Sequence, residues 1–265
     1  MTKVGFIGLG TQGKYLAVNL ATAGYDLMVF DVRAEPLEEL RKAGARIATS
    51  NRDVGKHAEI IEVCVLNDEQ TEAVVLADDG VLAGAARGSL IVIHGTVSPK
   101  LITRLAAATA AKGVELIDVP VSGSEGGAKS KTMSYMAGGT AAQLARCRPL
   151  FETSGQKITH CGPLGTGIRA KIAHQIIISI NMLAAYEGMR VGREAGVSAE
   201  VLEKVMTEGH AQSRIADNWF RLKLRPHATG VFFKDLEVSL KFAHELGIAL
   251  PGAALTQQLL DTVVP

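Results

Sequence analysis

Val4-Gly5-Phe6-Ile7-Gly8-Leu9-Gly10-Thr11-Gln12-Gly13 is the stretch that decides the fold. Val4 to Ile7 is an apolar run of buried-strand type, and the six residues after it fit GxGxxG. A helix pattern opens behind them and stops at Gly24. A lone GxGxxG is a weak signal. Here it follows a strand, opens a helix and precedes a second strand, Asp26 to Phe30, that delivers Asp31 21 residues after Gly10. That combination reads as the phosphate-binding turn of a dinucleotide fold. Gly8 permits the tight turn, Gly10 lets the backbone approach a pyrophosphate, and Gly13 lets helix and strand pack closely. The helix start offers free N–H groups and the positive end of the dipole to the anion. A glycine-rich turn in a non-binding sheet is the bland alternative, and the context outweighs it.

Asp31 can accept hydrogen bonds from both ribose hydroxyls, and its charge repels a 2′-phosphate, so NAD is the expected cofactor. Arg33, beyond Val32, could offset that repulsion, which keeps NADP as the alternative. The plainer reading of Arg33 is a surface charge.

Outward from this turn, the first half alternates strands and helices. Glu35 to Ala43 reads as a helix stopped by Gly44, and Ile60 to Leu66, Leu90 to Ile93 and Leu116 to Val119 as further buried strands. Ser98-Pro99 is a helix start. Continuous apolar strands between helices imply a parallel sheet covered on both faces. The character changes near Gly162-Pro163-Leu164-Gly165. Thr166 to Ala195 reads as one helix of ~45 Å, stopped by Gly196. Ser198, Arg214 to Leu224, Asp235 to Leu246 and Gly252 to Val263 suggest further helices, with no strand after about Cys161. The expected organisation is a dinucleotide-binding α/β Rossmann domain over 1–163. An all-helical domain for substrate and oligomerisation follows over 164–265, and a long helix joins the two.

Composition narrows the function. The chain has 265 residues, 28 Lys+Arg against 27 Asp+Glu, and a net charge of +1. That balance argues against nucleic acid as a partner. No run reaches the ~18 apolar residues of a membrane span, and MTKVGFIGLG lacks the features of a signal peptide. Cys64, Cys147 and Cys161 form no CxxC pair, so a reducing, cytoplasmic setting is expected. The seven histidines form no HExxH or i,i+4 pair, so no metal is expected.

Two segments carry candidate chemistry. Asp118-Val119-Pro120-Val121-Ser122-Gly123-Ser124-Glu125-Gly126-Gly127-Ala128 follows the last parallel strand, where ligands bind in open α/β sheets. Its N–H groups can form a nest for a carboxylate, although an ordinary flexible loop fits the segment equally. Lys171 lies one to two turns into the long helix, with His174 at i+3 and Gln175 at i+4 on the same face. A Lys in a dry cleft can serve as general acid or base. Taken alone, such a Lys is more often a surface residue.

GFIGLGTQGKYLAVNL, DVPVSGSEGGA, GTGIRAKIAHQ and Lys234-Asp235-Leu236 occur in the order found in the β-hydroxyacid dehydrogenase family, and the chain resembles that family over nearly its whole length. The family includes 3-hydroxyisobutyrate dehydrogenase, tartronate semialdehyde reductase and 6-phosphogluconate dehydrogenase. The resemblance implies that Lys171 is the general acid/base and that Ser122 and Gly123 bind the substrate carboxylate. It implies that Leu66, Asn67, Asp68 and Thr96 border the nicotinamide and that Lys234 lies near the active site. Gln12 stands where the family usually carries Met, Gln175 replaces Asn, His94-Gly95-Thr96 replaces an Asp-x-Ser-Thr pattern, and Ile178 replaces the Glu of 6-phosphogluconate dehydrogenases.

The expected activity is hydride transfer between NAD(H) and a small β-hydroxyacid or its semialdehyde. Lys171, Ser122 and Gln175 are the catalytic set, and Ser122, Gly123, Ser124, His174 and Gln175 hold the substrate. The cofactor set is Gly8, Leu9, Gly10, Thr11, Gln12, Gly13, Asp31, Val32, Arg33, Leu66, Asn67, Asp68, Thr96 and Lys234. The alternatives are an imine, sulfonated-aldehyde or phosphorylated-aldehyde reductase on the same scaffold, or a non-catalytic NAD-binding regulator. The partner is a small carboxylic acid, and a homodimer or homotetramer is expected.

Overall fold

The computed structural model describes residues 2–224 and 227–265. Contacts within the chain separate it into two compact units, one ending at Lys171 and one running from Ile172 to Pro265.

In the first unit the chain runs β1 (Lys3–Ile7), α1 (Gly13–Thr22), β2 (Asp26–Phe30), α2 (Ala34–Lys42), β3 (Arg46–Ile47), α3 (Asn51–His57), β4 (Ile60–Val63), α4 (Asp68–Leu76) and α5 (Val81–Gly84). It continues through β5 (Leu90–Ile93), α6 (Pro99–Ala111), β6 (Glu115–Asp118), β7 (Val121–Ser122), α7 (Ser124–Lys129), β8 (Ser134–Gly138), α8 (Ala141–Phe151) and β9 (Lys157–Gly162), and into the start of α9 (Thr166–Glu194).

Strands β3-β2-β1-β4-β5-β6 pair side by side, all parallel. This 3-2-1-4-5-6 order places the switch point between β1 and β4, where dinucleotide folds open beyond the strand carboxyl ends. Every residue of β4 and β5 is buried, Glu62 of β4 included, as in strands covered on both faces. One face packs Phe6, Val92 and Val119 against Leu16 and Leu20 of α1 and Phe151 of α8. As read from the sequence, Ser98 caps α6, its hydroxyl accepting the Leu101 N–H at 3.2 Å, and Pro99 opens the helix.

The sheet does not stop at β6. Strand β8 runs antiparallel to β6 and β7, and β9 pairs parallel to β8. Neither outer strand is apolar enough to announce itself, since β9 (KITHCG) is exposed or half-buried throughout. The apolar run Ile60 to Leu66 is strand only to Val63.

The second unit holds the rest of α9, α10 (Ala199–Glu208), a 3-10 helix over Ala216–Arg221, α11 (His227–Glu245), α12 (Pro251–Gln258) and α13 (Leu260–Val263). Among the described residues no strand follows Gly162, as expected, and α9 has 29 residues. Three helix readings need correction. Arg214 to Leu224 is largely the 3-10 turn, because Ser213 and Asn218 side chains bond the local backbone in place of an α ladder. α11 starts at His227, ahead of Asp235, and α11 contributes Phe232 and Leu236 to the unit's core. Gly252 to Val263 is two helices, the chain turning at Leu259 so that Leu260 and Val263 are buried. Met182, Ala185, Leu236, Ala253 and Leu260 form that core.

Candidate active site

The glycine turn has the stereochemistry its spacing implies. Gly8 has φ +91°, and a Cβ there would stand 2.4 Å from the Cys64 carbonyl oxygen. A Cβ on Gly13 would stand 2.0 Å from the Gly8 carbonyl oxygen, so α1 can lie this close to β1 only without one. A Cβ on Gly10 would meet no protein atom within 4 Å. Gly10 is therefore not required by internal packing. No side chain caps the start of α1. A groove of about 330 Å³ beside the turn is lined by Leu9, Gly10, Thr11, Arg33, Glu35 and Pro36, among others. An uncapped helix start, an open glycine and an acid at the next strand end suit a dinucleotide.

That acid, Asp31, is buried and held from several sides. Its Oδ2 accepts the Leu9 N–H at 2.6 Å, and its Oδ1 accepts the Arg33 N–H at 2.9 Å and Nε at 3.0 Å. Arg33 Nη2 also donates to the Leu9 carbonyl oxygen at 2.9 Å. Burial opposes the charge of Asp31. The Arg33 side chain, the two N–H groups and the Arg33 charge outweigh it and hold the carboxyl below its ordinary range. Arg33 is thus more than a surface charge: it clamps Asp31 to the glycine turn. Val32, between them, is 92% exposed.

At the ends of β4 and β5 side chains hold the loops in place. Asn67 Oδ1 caps α4 through the Gln70 N–H at 2.9 Å, and Gln70 Oε1 accepts the Leu66 N–H at 3.0 Å. Asp68 accepts the Ser98 N–H at 2.8 Å and the Ser98 hydroxyl, tying this loop to the one that carries the buried Thr96.

The end of β6 supplies two things at once. Asp118, fully buried, turns its carboxylate to the start of α9, accepting the Gly165 N–H at 2.6 Å and the Ile168 N–H at 2.7 Å. Burial pushes this carboxyl up to about 6 despite those two donors. Three residues beyond Val119, Ser122 closes β7 and pairs with Ser134. Gly123 has φ +148° and Ser124 φ +55°, which turn the chain into α7, so the expected loop is a short strand and a short helix. A Cβ on Gly123 would reach within 2.6 Å of Met133 Sδ.

Lys171, the sixth residue of α9, is only 6% exposed. A buried Lys is rare and marks a candidate site. In the second unit, the Gln175 amide nitrogen donates to Asp235 Oδ2, and its Oε1 lies 3.0 Å from His174 Nδ1. Lys234 Nζ lies 2.6 Å from Asp235 Oδ1. Asp118 and Asp235 were not among the expected site residues. Their signal in the sequence is an acid set in an apolar stretch, as in Leu116-Ile117-Asp118-Val119. Among the described residues no group of three or more His, Cys, Asp and Glu side chains is placed to hold a metal. No described helix is long and apolar enough to cross a membrane.

Comparison with known proteins converges on one family. Residues 3–162 match the NAD binding domain of 6-phosphogluconate dehydrogenase, and residues 165–265 match a domain described as the NAD-binding of NADP-dependent 3-hydroxyisobutyrate dehydrogenase. The chain is 34% identical to 3-hydroxyisobutyrate dehydrogenase of Pseudomonas aeruginosa, with 97% of this chain and 87% of that one covered. It is 35% identical to 2-hydroxy-3-oxopropionate reductase of Escherichia coli K12, over 98% of this chain and 90% of that one. A solved structure of Mycobacterium tuberculosis 3-hydroxyisobutyrate dehydrogenase with L-serine superposes with a TM-score of 0.86 at 25% identity, covering 98% of this chain and 93% of that one. With matches of this extent over both halves, the chain belongs to the β-hydroxyacid dehydrogenase family of NAD(P)-dependent oxidoreductases.

Proposed function

We propose that this chain interconverts a small β-hydroxyacid and its semialdehyde, with Lys171 moving the proton. The nicotinamide, when bound, supplies or accepts the hydride. Lys171 takes the hydroxyl proton during oxidation and returns it during reduction. Ser122, Gly123 and Ser124 hold the carboxylate end. Gln175 has one amide hydrogen on Asp235, and the second is assigned to the substrate oxygen, with His174 beside it. Leu66, Asn67, Asp68, Thr96 and Lys234 border the nicotinamide. The Gly8–Gly13 turn holds the pyrophosphate, and Asp31, flanked by Val32 and Arg33, holds the adenosine ribose, favouring NAD over NADP.

The observation that carries this reading is Asp118. One strand end anchors the helix start that sets the buried Lys171 and, four residues on, delivers Ser122. Residues 1–163 are assigned to the dinucleotide and 164–265 to substrate and assembly. Exposed Ile177, Val231, Phe233 and Leu255 in the second unit support a homodimer or homotetramer. The net charge of +1 supports no nucleic-acid partner, and the free thiols of Cys64, Cys147 and Cys161 support a reducing, cytoplasmic setting. The test is turnover of C3–C4 β-hydroxyacids with NAD and of the matching semialdehydes with NADH. Sustained dinucleotide conversion with one member of the panel is expected. Tight NADH binding without turnover of any member would favour a regulator.

A further inference from the structure

His94 and Glu62 form a buried pair that the mechanism above does not use. Their side chains are 0% and 4% exposed, Glu62 in β4 and His94 just past the end of the adjacent β5, and His94 Nε2 lies 3.0 Å from Glu62 Oε2. The other ring nitrogen, Nδ1, lies 2.8 Å from the Val119 carbonyl oxygen. A carbonyl can only accept, so Nδ1 carries a proton. Nε2 faces a carboxyl oxygen, so a second proton lies between the two side chains, whichever atom bears it. Glu62 Oε1 is buried with no hydrogen-bond partner among the described residues, which makes an unshared negative charge there costly.

The place of this pair in the sheet gives it a task. β5 ends at Ile93 and β6 at Asp118, where pairing changes from parallel to antiparallel. Val119 N–H still reaches the Ile93 carbonyl at 2.8 Å, but beyond Ile93 no strand residue lies opposite to serve the Val119 carbonyl. The His94 side chain takes that part. Pro120, which has no N–H, offers its carbonyl to Met136 N–H at 3.0 Å, and Val121 and Ser122 follow in β7. His94 also directly precedes Gly95 and Thr96. The ring is wedged among Phe6, Tyr135 and Phe151, with centroids 6.4, 6.1 and 5.7 Å away. The other titratable groups around the pair are Tyr25 before β2, Tyr135 of β8, Cys64 after β4 and Cys147 of α8. Burial, with the charge of Glu62, pushes Cys64 up to about 12 and raises the other three, so all four stay neutral.

We propose that His94 is a positioning residue: with Glu62 it holds one shared proton and fixes the Val119 carbonyl, thereby setting the strand that presents Ser122 and Gly123 to the substrate carboxylate. This inference rests on the dehydrogenase reading above.

The test uses the full chain. In the wild type, long-range proton–nitrogen spectra of His94 should show a protonated Nδ1; a ring protonated on Nε2 alone would overturn the proposal without any substitution. Glu62→Gln should rescue the arrangement, since its amide can donate to the neutral ring. The double variant His94→Phe/Glu62→Leu removes the pair without orphaning the acid, and such replacements commonly preserve folding. In the double variant, amide exchange over Val121–Ser124 should quicken and KM for the acid should rise about tenfold or more, with NADH affinity unchanged and Glu62→Gln close to wild type. Unchanged exchange, faster exchange with unchanged KM, or Glu62→Gln as damaged as the double variant would each overturn it. A wild type inactive on every β-hydroxyacid would sink the dehydrogenase reading instead, and the spectra and exchange data would then decide the pair alone.

Discussion

Asp118 Oδ2 accepts the Ile168 backbone N–H at 2.7 Å across 50 positions of sequence, while Oδ1 accepts the Gly165 N–H. The last residue of β6 thereby caps the start of α9, satisfying donors that a helix start leaves open. A Cβ at Gly167 would come within 2.6 Å of the Asp118 carbonyl oxygen, so the close approach also needs that glycine.

Asp118→Asn keeps the shape but turns one acceptor into a donor facing an N–H. It should cost about 1–3 kcal/mol and lower kcat by about 10 to 10²-fold through displacement of Lys171. The folded carboxyl, at about 6, lies above the ordinary aspartate value of 3.8. Its contribution to stability is therefore full below pH 3.8 and is lost as pH rises through about 6. Thermal melts of wild type and Asp118→Asn across pH 4–6 should show the wild type losing stability relative to the variant. Parallel curves would contradict this.

The proposed cofactor assignment makes Asp31 and Arg33 divide the choice of dinucleotide. On that assignment NADH should bind more tightly than NADPH, because the Asp31 carboxyl is held below its ordinary range and stays ionised. Asp31→Ser should narrow the preference. Arg33→Ala should widen it, by leaving the carboxylate uncovered. Fluorescence titration of both dinucleotides checks each point. NADPH winning tenfold in the wild type, about 1.4 kcal/mol, would reverse the assignment.

Two glycines of one motif should fail differently. Gly13→Ala drives a Cβ to 2.0 Å from the Gly8 oxygen and should destabilise the fold by about 1–3 kcal/mol or more. Gly10→Ala meets no protein atom, so its melting temperature should hold or rise slightly. Its NADH affinity should still fall. Melting curves beside NADH titrations separate the two, and loss of stability in Gly10→Ala would refute the reading of an open cradle.

Much of the first unit could be read from the sequence because its cues are local. β1, β2 and β5 are continuous apolar runs, and Ser98 and Pro99 are neighbours with one physical meaning. β8 and β9 were hidden because Ser134–Gly138 is rich in small residues and Lys157–Gly162 is polar. At the site, the glycine turn and Asp31 were legible from spacing. Asp118, Gln175 and His94 find their deciding partners 25 to 60 positions away, although Gln175 also meets the neighbouring His174, and no local pattern encodes such long pairings.

Exposed apolar side chains on the second unit should be covered in solution. Ile177 is 61% and Phe233 50% exposed. Light scattering at micromolar concentration should show a dimer or tetramer of the 28.0 kDa chain. Charged substitutions such as Phe233→Lys should shift it towards monomer. A single 28.0 kDa species in the wild type would contradict the assignment.

The most direct test of the mechanism is the turnover of Lys171→Ala on whichever β-hydroxyacid or semialdehyde the wild type converts, measured beside its NADH affinity. Removing the proton carrier should lower kcat by at least ~10²-fold while NADH affinity holds. Lys171→Arg should not rescue, since a guanidinium stays protonated. A folded Lys171→Ala protein that binds NADH and turns over at the wild-type rate would contradict the account.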